Sequence, residues 1–388
     1  MSRRALAEKT EKTRNAARII RTIWKNPLIS RIEIAEHLNL ERSTITHQVS
    51  RLLELGLVNE MSEGQAGPNG GRKPIHLSIN KDYGYIIGIE MQMEAYSVIA
   101  VSLSGEILGF QKIPHVFSAA HLVDDLLRIT EDFAAKQKSK NQLLGVGVGM
   151  SGIIDSEKGV IHFSIPLDLN EPFDFSAAMA EGSKHPFMIG NDANCCSWGE
   201  LAFHKANGLK NSLFVLIQFL ETDKARHKYG GVGVGLGIVI DGKVYSGNDF
   251  TAGEFRSAFW TEGNRTQFSI PEADIVNVVN DPSLMERFVR ELSKNLAVLI
   301  NTFDLNQVFV GGTIENFDVD FPRILKEEIK KNWMYPDPDH CEVSYSSLGE
   351  RAVAYGAAGM LLHRIFASTH LAFDVDDEQD PLVRALHL

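Results

Sequence analysis

Residues 30–56 read SRIEIAEHLNLERSTITHQVSRLLELG, and their pattern decides how the first part of the chain folds. Ser30 followed three residues later by Glu33 forms a capping box, in which hydroxyl and carboxylate each satisfy an amide at the start of a helix. Ile32, Ala35 and Leu38 supply the buried stripe of that short helix, which ends near Asn39. A further helix runs from about Arg42, burying Ile45, Val49, Leu52 and Leu53, until Gly56 closes it ahead of Leu57 and Val58. Upstream, Ala16, Ile19, Ile20, Ile23 and Trp24 follow helical spacing as far as Asn26-Pro27, where proline ends the pattern. Three helices joined by tight turns make a helix-turn-helix unit. Beyond it, residues 57–61 and 75–79 read as two strands around a loop, 62–74, with four glycines and two prolines, which is the pattern of a wing.

The third helix displays Arg42, Ser43, Thr44, Thr46, His47 and Ser50 away from its apolar stripe. Short polar side chains of this kind suit base edges and phosphates in a major groove. Arg72 and Lys73 close the wing and are placed to reach phosphate or a minor groove. The alternatives are a merely solvated helical face and a protein-docking winged helix. Glu41 brings a negative charge to the same end, where it also complements the positive start of the helix.

The charge distribution favours DNA. Residues 1–80 hold 13 Lys and Arg against 8 Glu and no Asp, a net of +5, whereas the chain of 388 residues carries −11 overall. The remainder, 81–388, therefore carries −16, so only the first module is suited to phosphate. A length of 388 residues predicts more than one domain, and 44% apolar with 23% charged residues excludes collagenous, low-complexity and wholly disordered classes. No apolar run reaches the roughly 18 residues of a membrane helix, and the charged first twenty residues are unlike a signal peptide. Cys195 and Cys196 are adjacent and Cys341 is alone, which is neither a disulfide framework nor metal-ligand spacing. A cytoplasmic protein with reduced thiols is expected.

From Tyr83 the texture becomes α/β. Strands are expected at 85–89, 97–101, 144–148, 187–189, 212–219, 234–240 and 307–310, with amphipathic helices at 120–136 and 284–302. The clusters Gly145-Val-Gly147-Val-Gly149 and Gly231-Val-Gly233-Val-Gly235-Leu-Gly237 lack dinucleotide-fingerprint spacing. They read as strands that another backbone or a ligand must approach closely.

The order of these segments resembles the ROK family of repressors, open reading frames and sugar kinases. The resemblance is carried by Gly145–Gly149 with Ser151-Gly152-Ile153-Ile154-Asp155, by Gly190-Asn191-Asp192-Ala193-Asn194 with Gly199-Glu200, and by Gly235–Gly237 with Asp241-Gly242. It continues in Ala252-Gly253-Glu254, Gly311-Gly312 and Tyr355-Gly356-Ala357-Ala358, behind a winged helix ending Gly71-Arg72-Lys73-Pro74. It implies two lobes of the actin/hexokinase (ribonuclease H-like) type over residues 81–388, with a carbohydrate in a cleft near 190–255. By carry-over, Gly152, Asn191, Asp192 and Glu254 are the implied ligand residues.

Departures from the family pattern shape the functional expectation. Active relatives follow an acidic residue with a Gly-Gly-Thr type turn that holds ATP phosphates; here Glu90 is followed by Met91-Gln92-Met93-Glu94, bulky and negative. Val232 stands where the second phosphate motif has threonine. Ser257 replaces a zinc-binding histidine, and 260–270 contains no cysteine, so no metal is expected. The family's sugar-binding asparagine has no clear match at Pro166-Leu167-Asp168. Asp192 matches the catalytic base of the kinases, but a carboxylate beside an amide equally suits sugar hydroxyls without catalysis, or a simple helix cap.

The expectation is therefore a non-enzymatic, sugar-responsive regulator, a repressor without cofactor. It would bind operator DNA and a sugar effector as a homodimer or dimer of dimers. The rivals are an active ATP-dependent sugar kinase with an appended DNA-binding module, and a docking protein controlled by a phosphotransfer partner. The vicinal cysteines read as packing atoms, residues 221–229 as a solvated insertion, 374–380 as an exposed acidic run, and 382–388 as an amphipathic segment for a partner subunit.

Overall fold

The computed structural model describes residues 3–63, 74–137, 141–165, 167–203, 209–219, 231–336, 340–346 and 348–367. Arg72, Lys73, the wing tip, Pro166, residues 221–229 and the C-terminal segments singled out above lie outside these described residues.

Helix α1 (Arg3–Lys25) ends before Pro27, and strand β1 (Ile29–Ser30) leads into α2 (Arg31–Leu38) and α3 (Arg42–Glu54). The capping box forms: the Ser30 amide donates to Glu33 Oε2 at 2.8 Å and the Glu33 amide to Ser30 Oγ at 3.4 Å. Asn39 adopts the left-handed conformation (φ 51°) that turns the chain between α2 and α3. The stripe of α2 differs from expectation. Ile34 is fully buried while Ile32 is 48% exposed, because the capped first turn faces Ile34 and Ala35 to the core. Strands β2 (Val58–Glu63) and β3 (Ile75–Ile79) complete an antiparallel sheet in the order β1-β3-β2, so the module is a winged helix.

The body contains one sheet plan twice. In the first lobe, β4 (Gly84–Met91), β5 (Ala95–Ser102) and β6 (Ile107–Pro114) form an antiparallel meander. After α4 (Leu122–Lys136), β7 (Gln142–Met150) joins β4 in parallel. A small sheet of β8 (Ile153–Asp155), β9 (Val160–Phe163) and β10 (Phe173–Asp174) and helix α5 (Phe175–Gly182) precede β11 (Phe187–Asn191), which is parallel to β7.

Helix α6 (Asp192–Phe203) leads to the second lobe, where β12 (Ser212–Phe219), β13 (Val232–Ile240) and β14 (Lys243–Val244) repeat the meander. Helices α7 (Glu272–Ile275) and α8 (Pro282–Phe303) precede β15 (Gln307–Gly312), and α9 (Phe321–Lys331) precedes β16 (Glu342–Tyr345). The two sheet orders, β11-β7-β4-β5-β6 and β14-β13-β12-β15-β16, are the same arrangement of three antiparallel strands extended by two parallel ones. This duplication defines the expected two-lobed fold.

The last helix, α10 (Ala352–Ala367), returns to the first lobe and lies against β4, β7 and α6. A side chain at Gly147 of β7 would collide with the Ala357 carbonyl, which accounts for the first glycine cluster: α10 packs directly on strand backbone. In the second cluster, a side chain at Gly237 would strike the Ala193 carbonyl of α6. One apolar core runs unbroken from Ile19, Ile23 and Trp24 of the winged helix into Ile99, Leu362 and Phe366 of the body.

Candidate effector cleft and DNA-reading helix

Helix α3 faces outward with the side chains expected to read DNA. Arg42, Ser43, Thr46 and His47 are exposed, while Thr44 is half-buried at the edge of that face. Thr46 Oγ1 donates to the Arg42 carbonyl at 2.8 Å, so its hydroxyl proton is engaged and its remaining capacity is as an acceptor. Glu41 precedes the helix without a side-chain capping bond. Gln48 is buried with Oε1 unpaired; three residues after Ile45 and four before Leu52, it lies on the inward face, which only its polar side chain hides from a reading of apolar positions.

The candidate effector site lies where β11 runs into α6. Asn191 Nδ2 donates to the Gly152 carbonyl at 3.1 Å and its Oδ1 accepts from the Asn194 amide at 3.1 Å, so this side chain both caps α6 and anchors the Gly152 turn. Asp192 Oδ1 accepts from the Ala193 amide at 2.8 Å, which leaves its second oxygen free of that contact. Burial raises the Asp192 carboxyl above the usual range. From the second lobe, Gly235 comes so near that a side chain there would meet Asp192 Oδ1 at 3.8 Å, and Gly235 is bridged to Glu254. Partial loss of hydration, followed by the charge of Asp192, raises the Glu254 carboxyl. Gly152, Asn191, Asp192 and Glu254 thus converge across the two lobes, with Glu254 exposed at the rim.

Gln92, in the turn that replaces the expected phosphate-holding one, bonds to the acidic residue that precedes the turn. Glu90 is 2% exposed, and its Oε1 accepts from Gln92 Nε2 at 2.9 Å and from Gln218 Nε2 at 3.0 Å. Gln218 belongs to β12, so this bond ties one lobe to the other. Burial, partly offset by the Gln92 amide, pushes the Glu90 carboxyl up to about 7. Val232 points into the second-lobe core, where it offers no donor. The roles of Gln92 and Gln218 have no signature in the sequence, because the two lie far apart along the chain and meet only at the Glu90 carboxylate.

The residues at the expected zinc position do not fit a metal. Ser257 Oγ accepts from the Phe259 amide at 3.1 Å and from Asn295 Nδ2 at 3.2 Å, and Gln267 Nε2 reaches the Val234 and Phe255 carbonyls at 2.8 and 2.7 Å. Asn264 and Thr266 satisfy the Phe268 and Ile270 carbonyls. Side-chain amides and hydroxyls hold this segment, and among the described residues no group of three His, Cys, Asp or Glu could hold a metal. The buried Cys195 and Cys196 thiols are raised well above their ordinary value by burial, which keeps them protonated packing atoms.

A winged helix joined to a duplicated α/β body, with Asp192 and Glu254 brought near each other from its two lobes, is a DNA-binding module on a sugar-kinase-type scaffold. Comparison with known proteins refines this: residues 86–256 match the ROK family, and residues 12–59 match winged helix-turn-helix DNA-binding domains. The chain carries a ROK family domain behind a winged helix-turn-helix. It is 29% identical to the xylose repressor of Staphylococcus xylosus over 77% of this chain and 73% of that one. It is 25% identical to the xylose repressor of Bacillus subtilis, over 90% of this chain and 94% of the relative. A solved ROK family transcriptional regulator, a homologue of the Escherichia coli MLC protein, shares the fold over 97% of this chain and all of its own, with TM-score 0.71 and 17% identity. A ROK family glucokinase from Streptomyces griseus in complex with glucose and AMPPNP covers 71% of this chain and 99% of its own, with TM-score 0.52 and 20% identity. Among the described residues no helix is long and apolar enough to cross a membrane.

Proposed function

We propose that this chain is a sugar-responsive transcriptional repressor acting in the cytoplasm, with residues 1–80 gripping operator DNA and 81–388 sensing a carbohydrate without phosphorylating it. Arg42, Ser43, Thr44, Thr46 and His47 read the operator, with Arg72 and Lys73 on phosphate; Gly152, Asn191, Asp192 and Glu254 hold the effector. The relatives named xylose repressors support this reading and make D-xylose the first sugar to test.

The observation that carries it is the Glu90 cluster. A phosphoryl donor needs amides and cations around its phosphates, whereas here the turn that would hold them carries Gln92, whose side chain is engaged with Glu90, and Gln218 of the other lobe closes on the same carboxylate. Asp192 then serves as a hydrogen-bond acceptor for sugar hydroxyls. Effector in the cleft favours one angle between the lobes, and the continuous core passes that preference to the winged helix. Two-fold pairing of chains converts the change into an altered separation of two recognition helices.

The test pairs gel retardation on the operator with a coupled ATPase assay. Operator binding that changes on adding D-xylose or another sugar, with no sugar-dependent ATP turnover, is expected. Turnover that disappears in Asp192→Asn establishes the kinase reading instead.

A further inference from the structure

Two side chains near the cleft have no role in the effector site described above, and they touch each other. The imidazole of His162 and the phenyl ring of Phe250 stack with centroids 5.4 Å apart and planes 10° from parallel. His162 lies on β9 in the first lobe, whereas Phe250 lies in the second, four residues before Glu254. The pair therefore crosses between the lobes on the rim occupied by Glu254, while the Glu90–Gln218 bond crosses elsewhere.

The direction of His162 follows from strand alternation. Ile161 is fully buried in the first-lobe core, so its neighbour His162 projects to the opposite side, toward the second lobe. Gly152, whose carbonyl anchors Asn191, lies against the Phe163 backbone next in sequence. His162 is thereby placed beside the residues proposed to hold the effector.

Each member of the pair carries an unexplained cost. His162 Nε2 is shut off from solvent and has no hydrogen-bond partner, an omission that native proteins rarely tolerate without a reason. Phe250 has φ 60°, the left-handed region that a bulky side chain avoids. Strained backbone of this kind concentrates where a ligand or a switch requires it.

We propose that His162 is an effector-contacting residue that bonds a carbohydrate hydroxyl through Nε2, and that Phe250 positions the imidazole across the cleft. This inference rests on the sugar-sensing reading above and names a residue pair that determines which sugar fits. A hydroxyl supplies the partner that Nε2 lacks, and an aromatic neighbour suits the apolar C–H face of a sugar ring. Because the two rings sit on different lobes, the effector that satisfies His162 also fixes the lobe angle.

Calorimetry on the full chain with D-xylose, D-glucose, D-ribose and xylitol tests this, alongside melting temperatures. His162→Ala is expected to weaken the best-bound probe about tenfold, as for one missing hydrogen bond, and to flatten discrimination among the probes. Phe250→Gly relieves the left-handed strain, so it is expected to melt no lower than wild type and yet bind more weakly; Phe250→Tyr restores affinity. Wild-type binding that both His162→Ala and Phe250→Gly leave unchanged overturns the assignment and leaves the sensor reading standing. Wild-type protein that binds none of the four at millimolar concentration overturns both.

Discussion

The indole of Trp24 stacks on the phenyl ring of Phe366, with centroids 5.4 Å apart and planes 12° from parallel. Trp24 also meets His363 edge-on at 6.1 Å, and His363 lies 4.6 Å from Trp198, centre to centre. Trp198 belongs to α6, whose first residue is Asp192. Contiguous rings thus connect the helix that starts in the cleft with the helix that starts the DNA-binding module. Close-packed cores shift between discrete arrangements rather than deform freely, so displacement of α6 is felt at α1.

The first prediction follows from that ring stack. His363→Ala removes the ring between Trp198 and Trp24. Operator affinities measured with and without sugar should converge, while the sugar still raises the variant's melting temperature. Affinities that differ as much as in wild type would exclude these rings from the coupling.

Glu90 makes stability depend on pH in a defined direction. Its carboxyl titrates at about 7 when folded, against an ordinary 4.5. Between these values the folded chain holds a proton that the unfolded chain has released, so stability falls as pH rises through this window and levels off above it. Glu90→Gln keeps an oxygen for the Gln92 and Gln218 amides and removes the charge. The variant should match wild type near pH 5 and exceed it at pH 8 by roughly 1–3 kcal/mol, read as the difference between melting curves.

The DNA face separates selectivity from grip. Thr46→Ala with His47→Ala should erase the preference for operator over random DNA, at about 1–3 kcal/mol for each base that is no longer read. Arg72→Ala with Lys73→Ala should weaken binding to both alike and lower the salt dependence by about one unit for each phosphate left without its cation. Unchanged gel shifts in both doubles would count against this face.

The cleft carboxylates are expected to act on the effector and not on the fold. Asp192→Asn retains an oxygen for the Ala193 amide, so the sugar-free melting temperature should stay close to wild type. Sugar affinity should fall by about 1.5–3 kcal/mol, the range for a hydrogen bond to a charged group. Glu254→Gln should have a smaller effect, because its side chain is exposed. A sugar-induced thermal shift that survives both substitutions would move the site elsewhere.

Much of this is legible in the linear chain. The Ser30–Glu33 capping box, the span 212–219 of β12 and the inward face of α3 depend on local spacing, which is where sequence carries most information. Ile32 departs from its expected stripe because a short helix leaves its rotation to whatever packs on it. Residues 92–94 are legible as a departure from the kinase turn, but Glu90 before them is not legible as a lobe-crossing carboxylate, since Gln218 enters only through tertiary contact. His162 has no signal at all: a lone histidine on a short strand acquires meaning only from the ring opposite it.

The winged helix, the α/β body, the opposed charges of the two parts and the replacement of the phosphate turn are all written in the order of residues. Caps, periodicities and residue types are local properties that survive without a fold. It took the folded molecule to establish that Glu90 is buried and shared by two lobes, that Asn191 also anchors Gly152, and that Trp24 is joined to the body by one core. Desolvation and packing are properties of the space around a group, and that space is built by residues far away along the chain.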